Sequence, residues 1–299
     1  MKTIDESAIL RFTDNFALKG RQAATIESYR RDSLSFLEYM EAAAVATGDV
    51  SPDTLRDFQV YLKNRGFRDN SVRRSVIGVR QFFRFLQDDF GWDRSPFDDS
   101  PIPGRDDSFN PRLTPEHLQK LLTAVGSESS ALKAARDQVM LLLIGFEGLK
   151  AGELIALEWV DFMPSHSTGV LRVKGPRDRT LQIEATTAEA LLKFRKATVE
   201  VNPSKPIAPR SKIMIGFKGS EASYLLPDLT RHGVKFALYE LGKLASIPHL
   251  NTEDLRHYAM GHKVTLGFTP EMLMNHLGLR TPGKTSRHFS DEVPTESVV

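Results

Sequence analysis

Apolar positions recur at helical spacing through most of the chain. In the first hundred residues they predict four helices. A short one covers about Asp5 to Leu18. A second begins after Thr25, with Ile26, Tyr29, Phe36, Leu37 and Met40 on one face. A third opens at Ser51-Pro52, serine capping and proline at the first helical position. A fourth starts near Ser71, with Asn70 or Ser71 as cap and Val72, Val76, Val79, Phe83 and Leu86 as its apolar stripe. From Gly91 to Arg112 the pattern stops. Pro96, Pro101, Pro103 and Pro111 stand there among Asp98, Asp99, Asp106 and Asp107, as in a linker. Beyond it, Leu113-Thr114-Pro115-Glu116 opens a helix capped by Thr114, and a long apolar helix spans about Arg136 to Phe146. Period-two alternation then predicts a hairpin over Val170 to Ile183, turning through the basic Lys174-Gly175-Pro176-Arg177. Helices fill most of the rest. The expected fold is mainly α with a small β-sheet, in two domains.

Composition narrows the function classes. The 299 residues suit about two domains. There is no cysteine, so disulfides, thiolate zinc sites and thiol catalysis are excluded. His257, His262 and His276 have no ligand spacing, so we expect no metal and no cofactor. The longest apolar run, Val139 to Phe146, is far short of the roughly 20 residues a membrane span needs. The N-terminal residues do not read as a signal peptide. The expectation is a cytoplasmic protein without a membrane partner.

A net charge of +2 argues against a dedicated nucleic-acid binder. Its distribution argues the other way. Lys63, Arg65, Arg68, Arg73, Arg74, Arg80 and Arg84 fall within 22 residues that hold one acid, Asp69. That window carries 7 − 1 = +6, leaving 2 − 6 = −4 for the remainder. At about 100° per residue, Arg73, Arg80 and Arg84 share one helix face. Such a face is either solvated or suited to phosphates.

The ordered series of short motifs resembles the tyrosine recombinases, the phage integrases and Xer-type enzymes. Thr25-Ile26-Glu27-Ser28-Tyr29-Arg30-Arg31-Asp32 and Ser71-Val72-Arg73-Arg74 through Phe82-Phe83-Arg84-Phe85-Leu86 look like the core-binding domain. Arg136-Asp137, Gly148-Leu149-Lys150-Ala151-Gly152-Glu153-Leu154, Leu157-Glu158-Trp159-Val160-Asp161, Asp254-Leu255-Arg256-His257, Gly267 and Leu277-Gly278 look like the catalytic domain. The resemblance implies a helical core-binding domain over residues 1–95, a linker over 96–111 and a mixed α/β catalytic-like domain over 112–299. It implies double-stranded DNA as partner, contacted through Arg73, Arg74, Arg80, Arg84, Lys174, Arg177 and Arg179. A homo-oligomer on DNA and a catalytically competent recombinase are further implied partners.

The family's chemistry, attack of a tyrosine on a phosphodiester, depends on clamping and positioning a charged transition state. Of the positions it uses, Arg256 matches the second arginine and Lys174 the hairpin lysine. Lys150 stands for the first arginine and lacks the two-pronged guanidinium. Glu253 stands where a histidine is expected. A carboxylate about 4 Å from a phosphate, at an effective dielectric near 20, opposes it by roughly 4 kcal/mol. Alternatively, Glu253 forms an ion pair with Lys150 or Arg256. Leu279 takes the place of a donor, and His288 falls at the tyrosine position, with no tyrosine after Tyr258. His288 is then either a replacement nucleophile or a structural or DNA-contacting imidazole. Tyr258 would point about 160° away from Arg256 on a helix, a poor substitute. The sequence therefore reads as a degenerate recombinase that binds DNA without cutting it, acting as architectural or regulatory partner. The alternatives are an active recombinase with a rearranged site and a protein-interaction module. Only eleven residues follow His288, among them Pro294 and three acids, so no docking helix is expected there.

Overall fold

The computed structural model describes residues 4–21, 23–104, 113–128, 130–165, 168–175, 177–201, 207–218, 224–226, 228–279 and 289. The chain divides into two compact units, Met1–Phe109 and Asn110–Val299.

The first unit holds α1 (Glu6–Leu18), α2 (Ala23–Ala42), α3 (Pro52–Asn64), α4 (Asp69–Phe85) and the single turn α5 (Gln87–Phe90). Asp5 caps α1 by accepting from Ser7 N–H and Ala8 N–H. Ser51 precedes Pro52 as expected, and its N–H donates to Thr54 Oγ1 at 3.1 Å. The basic helix begins two residues earlier than its stripe suggested. The Arg68 carbonyl already accepts from Val72 N–H, and Asp69 in the first turn suits the helix dipole. The unit closes on aromatic rings: Phe12, Phe36, Phe58, Phe82, Phe83 and Phe97 are fully buried. Phe97 changes the linker. Its ring lies 4.4 Å from Phe83 and 5.6 Å from Phe36, and Ser95 and Ser100 are buried beside it. Residues 96–104, expected to be free linker, are thus docked onto the helices, because one large ring buries enough area to hold them. Residues 105–111 of the expected linker lie outside the described residues.

The second unit contains α6 (Pro115–Gly126), α7 (Ala131–Gly145), α8 (Ala151–Ala156), β1 (Phe162–Pro164), β2 (Gly169–Val173), β3 (Arg179–Ile183), α9 (Ala185–Val201), β4 (Gly216–Lys218), β5 (Tyr224–Leu226), α10 (Arg231–Leu244), α11 (Thr252–Thr265) and α12 (Pro270–Leu277). Thr114 caps α6. The apolar helix α7 starts five residues before the expected Arg136, where Ser130 accepts from Lys133 N–H. It is buried on all sides over Val139–Gly145 and forms the centre of this core. The hairpin is present, with Leu171 opposite Leu181 and Val173 opposite Arg179. Leu171, Val173, Leu181 and Ile183 face inward while Arg172, Thr180 and Gln182 face out. β1 adds a third antiparallel strand, Phe162 opposite Leu171. β4 and β5 form a separate antiparallel pair. Among the described residues, no helix is long and apolar enough to cross a membrane.

Candidate functional site

Gly148 turns the chain from α7 into α8 with φ +70, and a Cβ there would overlap the Leu277 side chain. That turn makes Lys150 the cap residue of α8. Glu153, three residues on, reaches back to Lys150 N–H at 3.0 Å and to Lys150 Nζ at 3.3 Å. The same carboxylate receives a two-pronged grip from Arg179, 3.0 Å for each nitrogen–oxygen pair. Burial pushes the Glu153 carboxyl up. The Arg179 hydrogen bonds, the Lys150 N–H and the two positive charges outweigh burial and hold it below its ordinary value.

Arg179 and Arg177 were expected as DNA contacts on the hairpin turn. Both are tied inward: Arg179 Nε donates to the His276 carbonyl at 2.7 Å and Arg177 Nη1 to the Leu279 carbonyl at 2.6 Å. They join the hairpin to the end of α12. A Cβ at Gly278 would stand 2.9 Å from Arg179 Nη1, so this glycine leaves room for the guanidinium. Lys174, at the start of the turn, is held 3.1 Å from both Glu158 and the buried Asp161. Those carboxylates, Asp161 first, raise its ammonium above the ordinary value.

Arg256 is 3% exposed. Its Nε donates to the Gly148 carbonyl at 3.0 Å and its Nη1 to Glu253 Oε1 at 2.8 Å. Buried Nη2 has no hydrogen-bond partner among the described residues. Of the two ion pairs open to Glu253, the structure forms the one with Arg256; the carboxylate partner of Lys150 is Glu153. Leu279 is buried in an apolar cluster with Met260, Leu273 and Leu277, and Phe289 packs against it. His288 lies outside the described residues. Tyr258 rests against the rings of Phe146 and His262, and burial raises its hydroxyl above the usual value.

The arginines of α4 are also engaged. Arg74 pairs with the buried Asp32 at 2.8 Å. Arg84 pairs with Asp98 at 2.7 Å, and Arg80 donates to the carbonyls of Asp98 and Ser100. Arg73 donates to the Pro103 carbonyl. The Arg84 guanidinium holds the Asp98 carboxyl below the usual range. Carbonyl partners leave a charge intact; Asp32 and Asp98 cancel two of the window's positive charges.

Sequence reasoning missed a buried ionic cluster in the second unit. Lys263 on α11 is 2% exposed and lies 3.0 Å from Glu147 and 2.6 Å from Glu184. His262 bonds Glu184 at 3.0 Å, and His276 stands 3.6 Å from Glu147. The available signal was Lys263 itself, three residues after Met260 and four after Ala259 on the inward stripe of its helix. Among the described residues no group of His, Asp or Glu is arranged to hold a metal ion.

This cluster gives the unit an acid sensitivity with a definite sign. Burial and the neighbouring cations lower His276 to about 4. Glu184 is lowered to about 2, because hydrogen bonds to His262 and Lys263 outweigh the rise from burial. In both cases the unfolded chain takes up the proton at higher pH than the folded one. Stability is therefore complete above about pH 6.5, falls toward pH 4 through His276, and falls further from about 4.5 to 2 through Glu184. Urea unfolding at stepped pH should show both segments, and His276→Gln should flatten the upper one. A pH-independent midpoint from 6.5 to 4 would refute the assignment to His276.

Residues 11–89 match the family model described as the N-terminal SAM-like domain of phage integrases. A tyrosine recombinase XerC from Roseiflexus sp. (strain RS-1) is 28% identical over 281 residues, 92% of this chain and 87% of its own. The chain is similar to the tyrosine recombinases over most of its length. A tyrosine recombinase XerD from Listeria monocytogenes is likewise 28% identical, over 87% of this chain and 85% of its own. Solved structures share the fold. A lambda integrase (75–356) dimer bound to a COC′ core site aligns with TM-score 0.69 and 14% identity, covering 100% of this chain and 99% of that one. A XerH recombinase in a post-cleavage complex with palindromic difH aligns with TM-score 0.67 and 17% identity, over 88% and 75%. The mainly helical fold with a small sheet is that of the tyrosine recombinases.

Proposed function

We propose that this protein binds double-stranded DNA without cutting it and serves recombination as an architectural or regulatory partner. The observation that carries the reading is the 2.8 Å ion pair between Glu253 and the buried Arg256. A cation that should meet a phosphate is met by a carboxylate, which opposes the extra negative charge of a phosphoryl-transfer transition state. Lys150 lacks the planar fork, and no tyrosine follows Tyr258. DNA binding is supported by the solved relatives, whose lambda integrase and XerH chains are bound to DNA. Residues 1–95 would form the core-binding half and 112–299 the catalytic-like half. The protein would act in the cytoplasm, as an oligomer on DNA or beside a competent recombinase.

The test is covalent capture. A duplex selected from a randomised pool for binding is given a nick that traps any cleaved intermediate, then denatured with the protein. Retention without adduct is the expected result. An adduct that disappears in His288→Ala would establish a rearranged active enzyme instead. Absence of retention at any salt would leave a protein-interaction module.

A further inference from the structure

We infer that Arg231 and Lys150 act as two cations that together hold a phosphate beside Gly152. Arg231 would stand in for the guanidinium that position 150 lacks. The inference rests on the DNA-binding reading and takes as ligand a backbone phosphodiester of duplex DNA.

Arg231 is the first residue of α10, after the Thr230 cap. Its guanidinium lies directly over Gly152, in the first turn of α8. A Cβ on Gly152 would stand 2.7 Å from Arg231 Nη2, 3.3 Å from Nε and 3.4 Å from Cζ. The missing side chain at 152 is what lets the fork settle two residues from Lys150.

The charge count around it is unbalanced. Lys150 and Arg179 share one carboxylate, Glu153, and Arg231 lies over the adjacent Gly152, so these three cations and one acid sum to 3 − 1 = +2. Glu153 already gives both oxygens to the largely buried Arg179. Lys174, Arg177 and Arg256 each have inward partners. Arg231 is exposed and has no ion pair or hydrogen bond among the described residues. A surplus of positive charge with one unengaged fork is a site for an anion that accepts more than one hydrogen bond. The Gly148 carbonyl ties Arg256 to the turn before α8, and Arg256 Nη2 is buried with no hydrogen-bond partner among the described residues.

The experiment measures duplex binding by the full chain across a salt series, with two unrelated duplex sequences. Arg231→Ala should weaken binding about tenfold on both sequences, since a charge-assisted bond is lost, and lower the salt slope by about one. Arg231→Lys should recover the slope and only part of the affinity. Gly152→Ala keeps the charge but fills the space under the guanidinium, and should also weaken binding. Combined with Lys150→Ala, Arg231→Ala should lose less than the sum of the two, as for groups sharing one phosphate. Unchanged melting of Arg231→Ala, an exposed position, keeps the comparison free of folding effects.

Native binding with an unaltered slope in Arg231→Ala overturns the inference and leaves the DNA-binding reading intact. A loss confined to one sequence also overturns it, as the mark of a base contact. No binding by the native chain overturns both.

Discussion

Replacing Lys263 with methionine is expected to destabilise the second unit by about 3–5 kcal/mol, the cost of leaving a buried charge without its partner. Glu147 is fully buried and accepts from Lys263 Nζ, from Thr187 Oγ1 at 3.1 Å and from Glu184 N–H at 2.9 Å. Without the ammonium, two neutral donors remain for a carboxylate in a low-dielectric site. The Glu184 carboxylate loses its 2.6 Å partner as well. Trp159 lies in this unit and Trp92 in the other. Urea unfolding followed by Trp159 fluorescence in a Trp92→Phe background therefore reports the effect where it arises. Adding Glu147→Gln should return much of the loss, because the uncompensated charge goes with it. A loss below about 1 kcal/mol in Lys263→Met would mean the ammonium is not holding α7, α9 and α11 together.

The second large effect concerns DNA. Glu253→Gln should bind duplex roughly tenfold more tightly, equivalent to about 1.4 kcal/mol, with a salt slope steeper by about one. The native carboxylate sits 2.8 Å from Arg256 Nη1 and neutralises that cation. Glutamine keeps an oxygen acceptor for the same nitrogen but removes the charge. The gain falls short of the roughly 4 kcal/mol expected for a charge about 4 Å from phosphate at an effective dielectric near 20, because the Glu253 side chain is 58% exposed and screened by water. Filter retention across a salt series measures both numbers. Equal affinity of native and Glu253→Gln chains would place Arg256 away from the DNA.

These two sites were legible in the sequence to different degrees. Glu253 was visible because it stands three residues before Arg256, one helical turn, so an ion pair between them needs no tertiary information. Its alternative partner, Lys150, is distant in sequence, and only the fold could show that Glu153 holds it. Glu153 reads as the third residue of a short helix, a position that caps locally. Its bond to Arg179 crosses 26 positions and has no local trace. The cluster around Lys263 was missed for the same reason: its partners Glu147 and Glu184 lie just beyond α7 and just before α9. The three-residue strands β1, β4 and β5 are too short to show a period of two.

The basic window shows where local reading stops. Seven cations with one acid nearby described an open phosphate-binding face. In the fold, Asp32 from α2 and Asp98 from beyond α5 enter that face, and the carbonyls of residues 98, 100 and 103 take up Arg73 and Arg80. A sequence window counts only neighbours along the chain, whereas charges act through space over about 8–10 Å at ordinary salt.

By itself, then, the sequence determined the first helices, their caps at Ser51 and Thr114, the hairpin, the resemblance to the tyrosine recombinases and the absence of a tyrosine between position 258 and residue 299. Each of these depends on residues within one or two turns of one another, or on residue identity alone. The tertiary structure decided which carboxylate holds which cation. It docked Phe97 and turned part of a linker into core, buried Lys263 between two acids, and left Arg231 over Gly152. Those outcomes depend on distances between segments far apart in the chain, which only packing of the whole unit can set.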